Sequence, residues 1–215
     1  MGYKYIISLL TKIPLVIALL IAARNYFRFS KELKVISWYV VLSGIIQFSS
    51  QYLASLKENN MYLLHIFVPA SFVCLSIFYQ KVFTRFIHRN LLWWILGLFV
   101  VFSIVNSICW QGIKTFNSYA LSLESVLLII YALSLFTLLL NESVRNEKRG
   151  MLSSLRWINS GILIYYTSGL LIFYFGAFLT RFSSENFQIS WLFHSFIYIV
   201  QFICISIGLW KYQKK

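Results

Sequence analysis

The chain has 215 residues, of which 60% are hydrophobic and only 12% charged, and its mean hydropathy is +0.75. That leaves too little polar surface to cover a water-soluble globule, so a soluble domain is excluded. Nineteen Lys and Arg against six Asp and Glu give a net charge of +13. Because the basic residues fall between apolar runs, they read as membrane topology and exclude a nucleic-acid partner.

Seven mostly apolar windows are long enough to cross a hydrocarbon core of about 30 Å as helix. They lie near residues 5–23, 35–56, 61–83, 91–110, 118–140, 157–179 and 187–210. In lipid the backbone must satisfy its own hydrogen bonds, so these Ile-, Val- and Phe-rich runs are expected as helices; they lack the alternation of barrel strands. The expected fold class is all-α: one polytopic bundle of seven transmembrane helices, a single domain over residues 1–215.

Helix 1 carries Lys12 and Pro14. Its apolar stretch follows Lys4 and ends Ile21-Ala22-Ala23, loosely like a cleaved leader. Cleavage would leave the four positive charges of the Arg24–Lys34 loop outside, so helix 1 is read as a permanent span. Helix 2 places Ser43, Gln47 and Gln51 on one stripe. Helix 3 carries His65, with Pro69 one turn further along. Helix 4 carries Asn106, and helix 5 spaces Asn117, Glu124 and Tyr131 by seven. Glu124 is the only acid in any window, and the chain has no Asp. A loop of about sixteen residues, Asn141–Arg156, precedes helix 6. On helix 7, Ser190, His194, Tyr198 and Gln201 share a face. Trp93, Trp94, Trp110, Trp157, Trp191 and Trp210 sit near window ends, as interfacial anchors do. Cys74, Cys109 and Cys204 fall within windows without paired spacing and read as small packing residues.

Fourteen of the nineteen basic residues lie in the loops after helices 1, 3 and 5 and after helix 7. The positive-inside rule then puts the amino terminus outside and the carboxyl terminus in the cytoplasm. With that orientation His65, Glu124 and His194 lie roughly 6–11 Å below the outer surface at 1.5 Å per residue. Lys12, Gln51 and Asn106 approach the same level. Polar groups at depth are expensive and mark function. The expectation is an outward-facing pocket with His65, Glu124 and His194 at its base, Lys12 as counter-ion, and Gln51, Asn106 and Tyr198 nearby.

Two histidines and a glutamate could hold catalytic zinc with an open water position, making a membrane-embedded metal-dependent lipid hydrolase the alternative reading, with His65, His194 and Glu124 as ligands. The last-helix HxxxH of the alkaline-ceramidase and progestin-receptor type is absent, Tyr198 standing four residues after His194. His65 and His194 could instead flank a haem. Retinal is not expected, because Phe187–Trp210 contains no lysine. The leading reading needs no cofactor. A third reading is a structural or assembly subunit whose buried polar groups specify helix packing.

Several short motifs recur in order: Asn59-Asn60 before Leu64-His65; Ser122-Leu123-Glu124; Trp157-Ile158-Asn159-Ser160-Gly161 with Tyr165; and His194-Ser195 with Ile207-Gly208-Leu209-Trp210. On these the chain resembles a family of small, largely uncharacterised bacterial seven-helix integral membrane proteins. It departs from that pattern at Pro69-Ala70-Ser71 and at Tyr198, where the family often carries an acid and an amide. The resemblance implies residence in a bacterial inner membrane and marks His65, Glu124, Asn159 and His194. With no room for an output domain, the reading is a receptor-like or sensory protein. It binds a small or lipidic ligand and acts through a separate signalling partner.

Overall fold

The computed structural model describes residues 10–83, 89–140, 149–182 and 184–212, with the side chains at 89, 149 and 175–191 left aside. Among the described residues the chain is all-α. Its helices are α1 (Lys12–Asn25), α2 (Lys31–Ser55), α3 (Tyr62–Val82), α4 (Arg89–Val105), α5 (Ser118–Leu140), α6 (Arg149–Phe182) and α7 (Ser184–Lys211), and a π-helical turn, Asn106–Trp110, prolongs α4. Among the described residues five stretches are long and apolar enough to cross a membrane: Lys31–Ser55, Tyr62–Val82, Asn90–Trp110, Ser118–Leu140 and Leu192–Lys211. Contact with a lipid bilayer follows from these helices.

Around the bundle α1 packs on α2, α2 on α3, α3 on both α4 and α5, α5 on α6, α6 on α7, and α7 back on α1. The ring closes through the contact between α7 and α1. We call the end at which α3, α5 and α7 begin the leading end, and the other the trailing end.

Burial is inverted relative to a soluble protein. Large apolar side chains cover the outside, with Leu98, Ile108, Leu140 and Leu171 each more than 60% exposed, whereas Ser71, Asn106, Asn117, Glu124, Asn159 and Gln201 are buried at 1% or less. Lipid is as apolar as leucine, so nothing drives the leucines inward, and the polar groups face inward to find partners. Asn159 ties three helices: its amide donates to the Ala132 carbonyl of α5 at 2.9 Å, and its oxygen accepts from Tyr79 of α3 at 2.8 Å. The α6–α7 crossing is close because of two glycines. A β-carbon at Gly161 would fall 2.8 Å from Cys204 Cβ, and one at Gly208 would fall 2.6 Å from Ile158 Cγ1. There the Ser154 hydroxyl donates to the Gly208 carbonyl at 2.7 Å.

The loop expected over Asn141–Arg156 is shorter than that, because α6 begins at Arg149. A helix loses nothing by continuing into the polar headgroup layer, and Arg156 is exposed, so the edge of the apolar run does not mark the end of the helix.

Candidate functional site

A cavity of about 340 Å³ opens in the leading half of the bundle, between α2, α3 and α7, with Thr11 just before α1 and Tyr165 of α6 completing its wall. Its polar lining includes Gln47, Gln51 and Ser50 from α2, and His194 and Tyr198 from α7; Leu64 and Phe67 from α3 supply apolar wall. These side chains meet because Ser43, Gln47 and Gln51 recur every four residues, as do His194 and Tyr198, so each set forms a stripe on one helix face. Among the described residues the lining contains no Asp, Glu, Lys or Arg. At the mouth the Asn60 amide donates to the Ser50 hydroxyl at 2.7 Å and to its carbonyl at 3.1 Å, fastening the start of α3 to the end of α2.

Of the residues expected in the pocket, Gln51, His194 and Tyr198 line it. His194 Nε2 lies 3.0 Å from the Tyr165 hydroxyl, and its ring also meets Tyr165 and Phe173 edge-on. Ser190 lies outside the residues whose side chains are described.

The remaining candidates sit elsewhere. His65 turns away toward α4: Nε2 donates to the Thr115 carbonyl at 3.1 Å, and Nδ1 lies 2.8 Å from Ser107 Oγ. A carbonyl can only accept, so Nε2 carries a proton, while the Ser107 hydroxyl itself donates to the Ser103 carbonyl at 2.9 Å. Asn106 belongs to the same end of α4, where its amide donates to Gln111 Oε1 at 3.1 Å and Asn117 Oδ1 at 2.8 Å. Gln111 in turn donates to Ser118 at 2.7 Å and accepts from the Tyr119 amide. This network joins the π turn to the start of α5. Lys12 is half-buried, its Nζ 5.8 Å from the centre of the Phe48 ring. It is therefore not the counter-ion of Glu124.

Glu124 is buried one layer behind the cavity. Its Oε1 accepts from Ser71 at 2.6 Å and from Tyr166 at 3.2 Å, while Oε2 has no partner among the described residues. The base expected from His65, Glu124 and His194 is thus not assembled: His65 meets Ser107 and the Thr115 carbonyl, Glu124 meets Ser71 six residues further along α3, and His194 meets Tyr165. Among the described residues no three His, Cys, Asp or Glu side chains gather to hold a metal. That donor arrangement does not fit a His65–His194–Glu124 zinc centre. Nor does it fit a haem held by His65 and His194, since His65 spends both ring nitrogens on the α4–α5 end.

No protein-family model, curated protein or solved structure matches the chain.

Tyr165 and Tyr166 connect the cavity to Glu124. They are adjacent on α6 with rings 4.9 Å apart at 89°; the first faces His194, the second Glu124. Tyr166 and Ser50 were not singled out by the sequence, and Ser71 entered only within the Pro69-Ala70-Ser71 departure from the family pattern. A Tyr-Tyr pair in mid-span, away from the interfacial level tyrosine favours, is the signal that could have found them.

Proposed function

We propose that the chain is a receptor-like integral membrane protein that binds a small uncharged or lipidic molecule in the leading-end cavity and acts through a separate partner. The cavity is the observation that carries this reading. Its volume falls within the usual range for small-ligand sites, roughly 300–1,000 Å³, and it presents amide, hydroxyl and imidazole groups beside apolar wall. Among the described residues a charged ligand would find no opposite charge in the lining to compensate its lost hydration. Neutral groups with several hydrogen-bonding atoms suit the lining best.

In this reading all seven helices span a bacterial inner membrane, with the leading end outside and the basic trailing end in the cytoplasm. Binding would shift the bundle only insofar as the ligand favours one helix arrangement over another.

Native mass spectrometry of the full chain, released from nanodiscs formed with its own co-extracted lipid, tests the reading. The wild type should retain an organic molecule near one per chain. A Gln47→Trp variant of unchanged melting temperature, its indole filling the cavity, should not. Equal retention by both, or none by the wild type, refutes the proposal.

A further inference from the structure

At the trailing end the connection between α1 and α2 is a short 3-10 turn, Tyr26–Arg28. Phe27 in that turn is 88% exposed, the most exposed large apolar side chain among the described residues, and Trp38 beyond it is 59% exposed. Neither is loose. The Trp38 indole donates to the Tyr26 hydroxyl at 3.1 Å, the Tyr26 and Trp38 rings meet edge-on at 6.4 Å, and Phe27 meets Tyr26 edge-on at 5.7 Å. Tyr26 is thus the hub of a three-ring platform facing outward.

Basic side chains surround it. Arg24 closes α1, Arg28 closes the turn, and Lys31 and Lys34 share the α2 face that carries Trp38, at spacings of three and four. Arg24, Arg28 and Lys31 are exposed, and Lys34 is held with its Nζ 5.5 Å from the centre of the Tyr26 ring. Glu32 is the one acid in this stretch. An outward aromatic platform ringed by four cations is poorly suited to water alone, which would leave Phe27 bare. It also lacks the apolar surroundings of the lipid-facing belt. Both demands are met at the headgroup layer, where aromatic rings settle and cations meet phosphate.

We propose that the α1–α2 corner is a binding site for an anionic phospholipid. Phe27 and Trp38 lie against the upper acyl chains and glycerol, and Arg28, Lys31 and Lys34 hold the headgroup phosphate. The site is remote from the cavity and does not depend on what the cavity binds.

The test uses the full chain in detergent, titrated with phosphatidylglycerol or phosphatidylcholine and read by native mass spectrometry as the apparent affinity of the first bound lipid. The wild type should prefer phosphatidylglycerol. Each basic residue near a charged bilayer is worth about a fivefold factor, so R28Q/K31Q/K34Q should lose that preference, falling at least fivefold. Arg156→Gln, which removes an exposed cation on α6 at the same end, should keep it. Phe27→Ser should weaken both lipids. Equal binding of the two lipids by the wild type overturns the proposal, as does an unchanged preference in the triple variant at unchanged melting temperature. Phosphatidylglycerol binding indifferent to Phe27→Ser would reduce the corner to an ion site and overturn it too.

Discussion

Replacing Gly161 by alanine tests the α6–α7 crossing. The added methyl would lie 2.8 Å from Cys204 Cβ and 2.9 Å from the Gln201 carbonyl oxygen. Carbon atoms rest about 3.5–4.0 Å apart, so α7 must retreat by roughly 0.7 Å or more at this level. One of the two obstacles is backbone, so no side-chain rotation relieves it. Overpacking of this kind costs about 1–3 kcal/mol, opposed by the gain of up to about 1 kcal/mol when a helical glycine becomes alanine. The expected net effect is a loss of up to about 2 kcal/mol, and of about 1–3 kcal/mol relative to a helical glycine whose replacement meets no obstacle. Gly97 supplies the control, because a β-carbon there meets nothing within 4 Å, so Gly97→Ala should be neutral or slightly stabilising. Reversible unfolding in mixed micelles, followed by circular dichroism against the mole fraction of dodecyl sulfate, compares the two. If Gly161→Ala is as stable as Gly97→Ala, the crossing is not as close as its atoms indicate and the argument fails.

His65→Leu removes the bonds to Ser107 and the Thr115 carbonyl; two hydrogen bonds at about 0.5–1.5 kcal/mol each predict a loss of about 1–3 kcal/mol in the same assay. Because His65 does not line the cavity, the molecule retained in native mass spectrometry should be unchanged, and its loss would place His65 in the binding site after all. Gly112 sits in open space between α4 and α5. In a Cys109→Ser background, Gly112→Cys should react with a membrane-impermeant maleimide on intact cells; reaction only after permeabilisation would invert the proposed orientation.

Helix content was readable because an apolar run of some twenty residues has one solution in lipid. The windows near 35–56, 61–83, 91–110 and 118–140 agree with α2, α3, α4 with its π turn, and α5 to within a few residues at most ends. What spacing along one helix does not encode is which neighbour its polar face meets. His65 is turned to the end of α4, whereas Glu124 meets α6 and Ser71, which lies six residues further along α3 and on a different face from His65. The α2 stripe and the His194–Tyr198 pair fared better, since residues four apart face one way whatever the neighbour. Ser71 and Tyr166 carried no distinguishing pattern of their own: a serine in a lipid-buried helix can satisfy itself on the preceding turn, as Ser71 also does on the Val68 carbonyl at 3.0 Å.

The adjacency of Tyr165 and Tyr166 constrains how α6 can move. Successive residues on a helix are about 100° apart around its axis, so the two hydroxyls are spokes of one wheel. One is set against His194 at the cavity wall, the other against Glu124 in the interior. Turning α6 to loosen the first contact must sweep the second along an arc of the same angle. A molecule that displaced Tyr165 from His194 would therefore work α6 as a crank, and Glu124 would feel the stroke without being touched by the molecule.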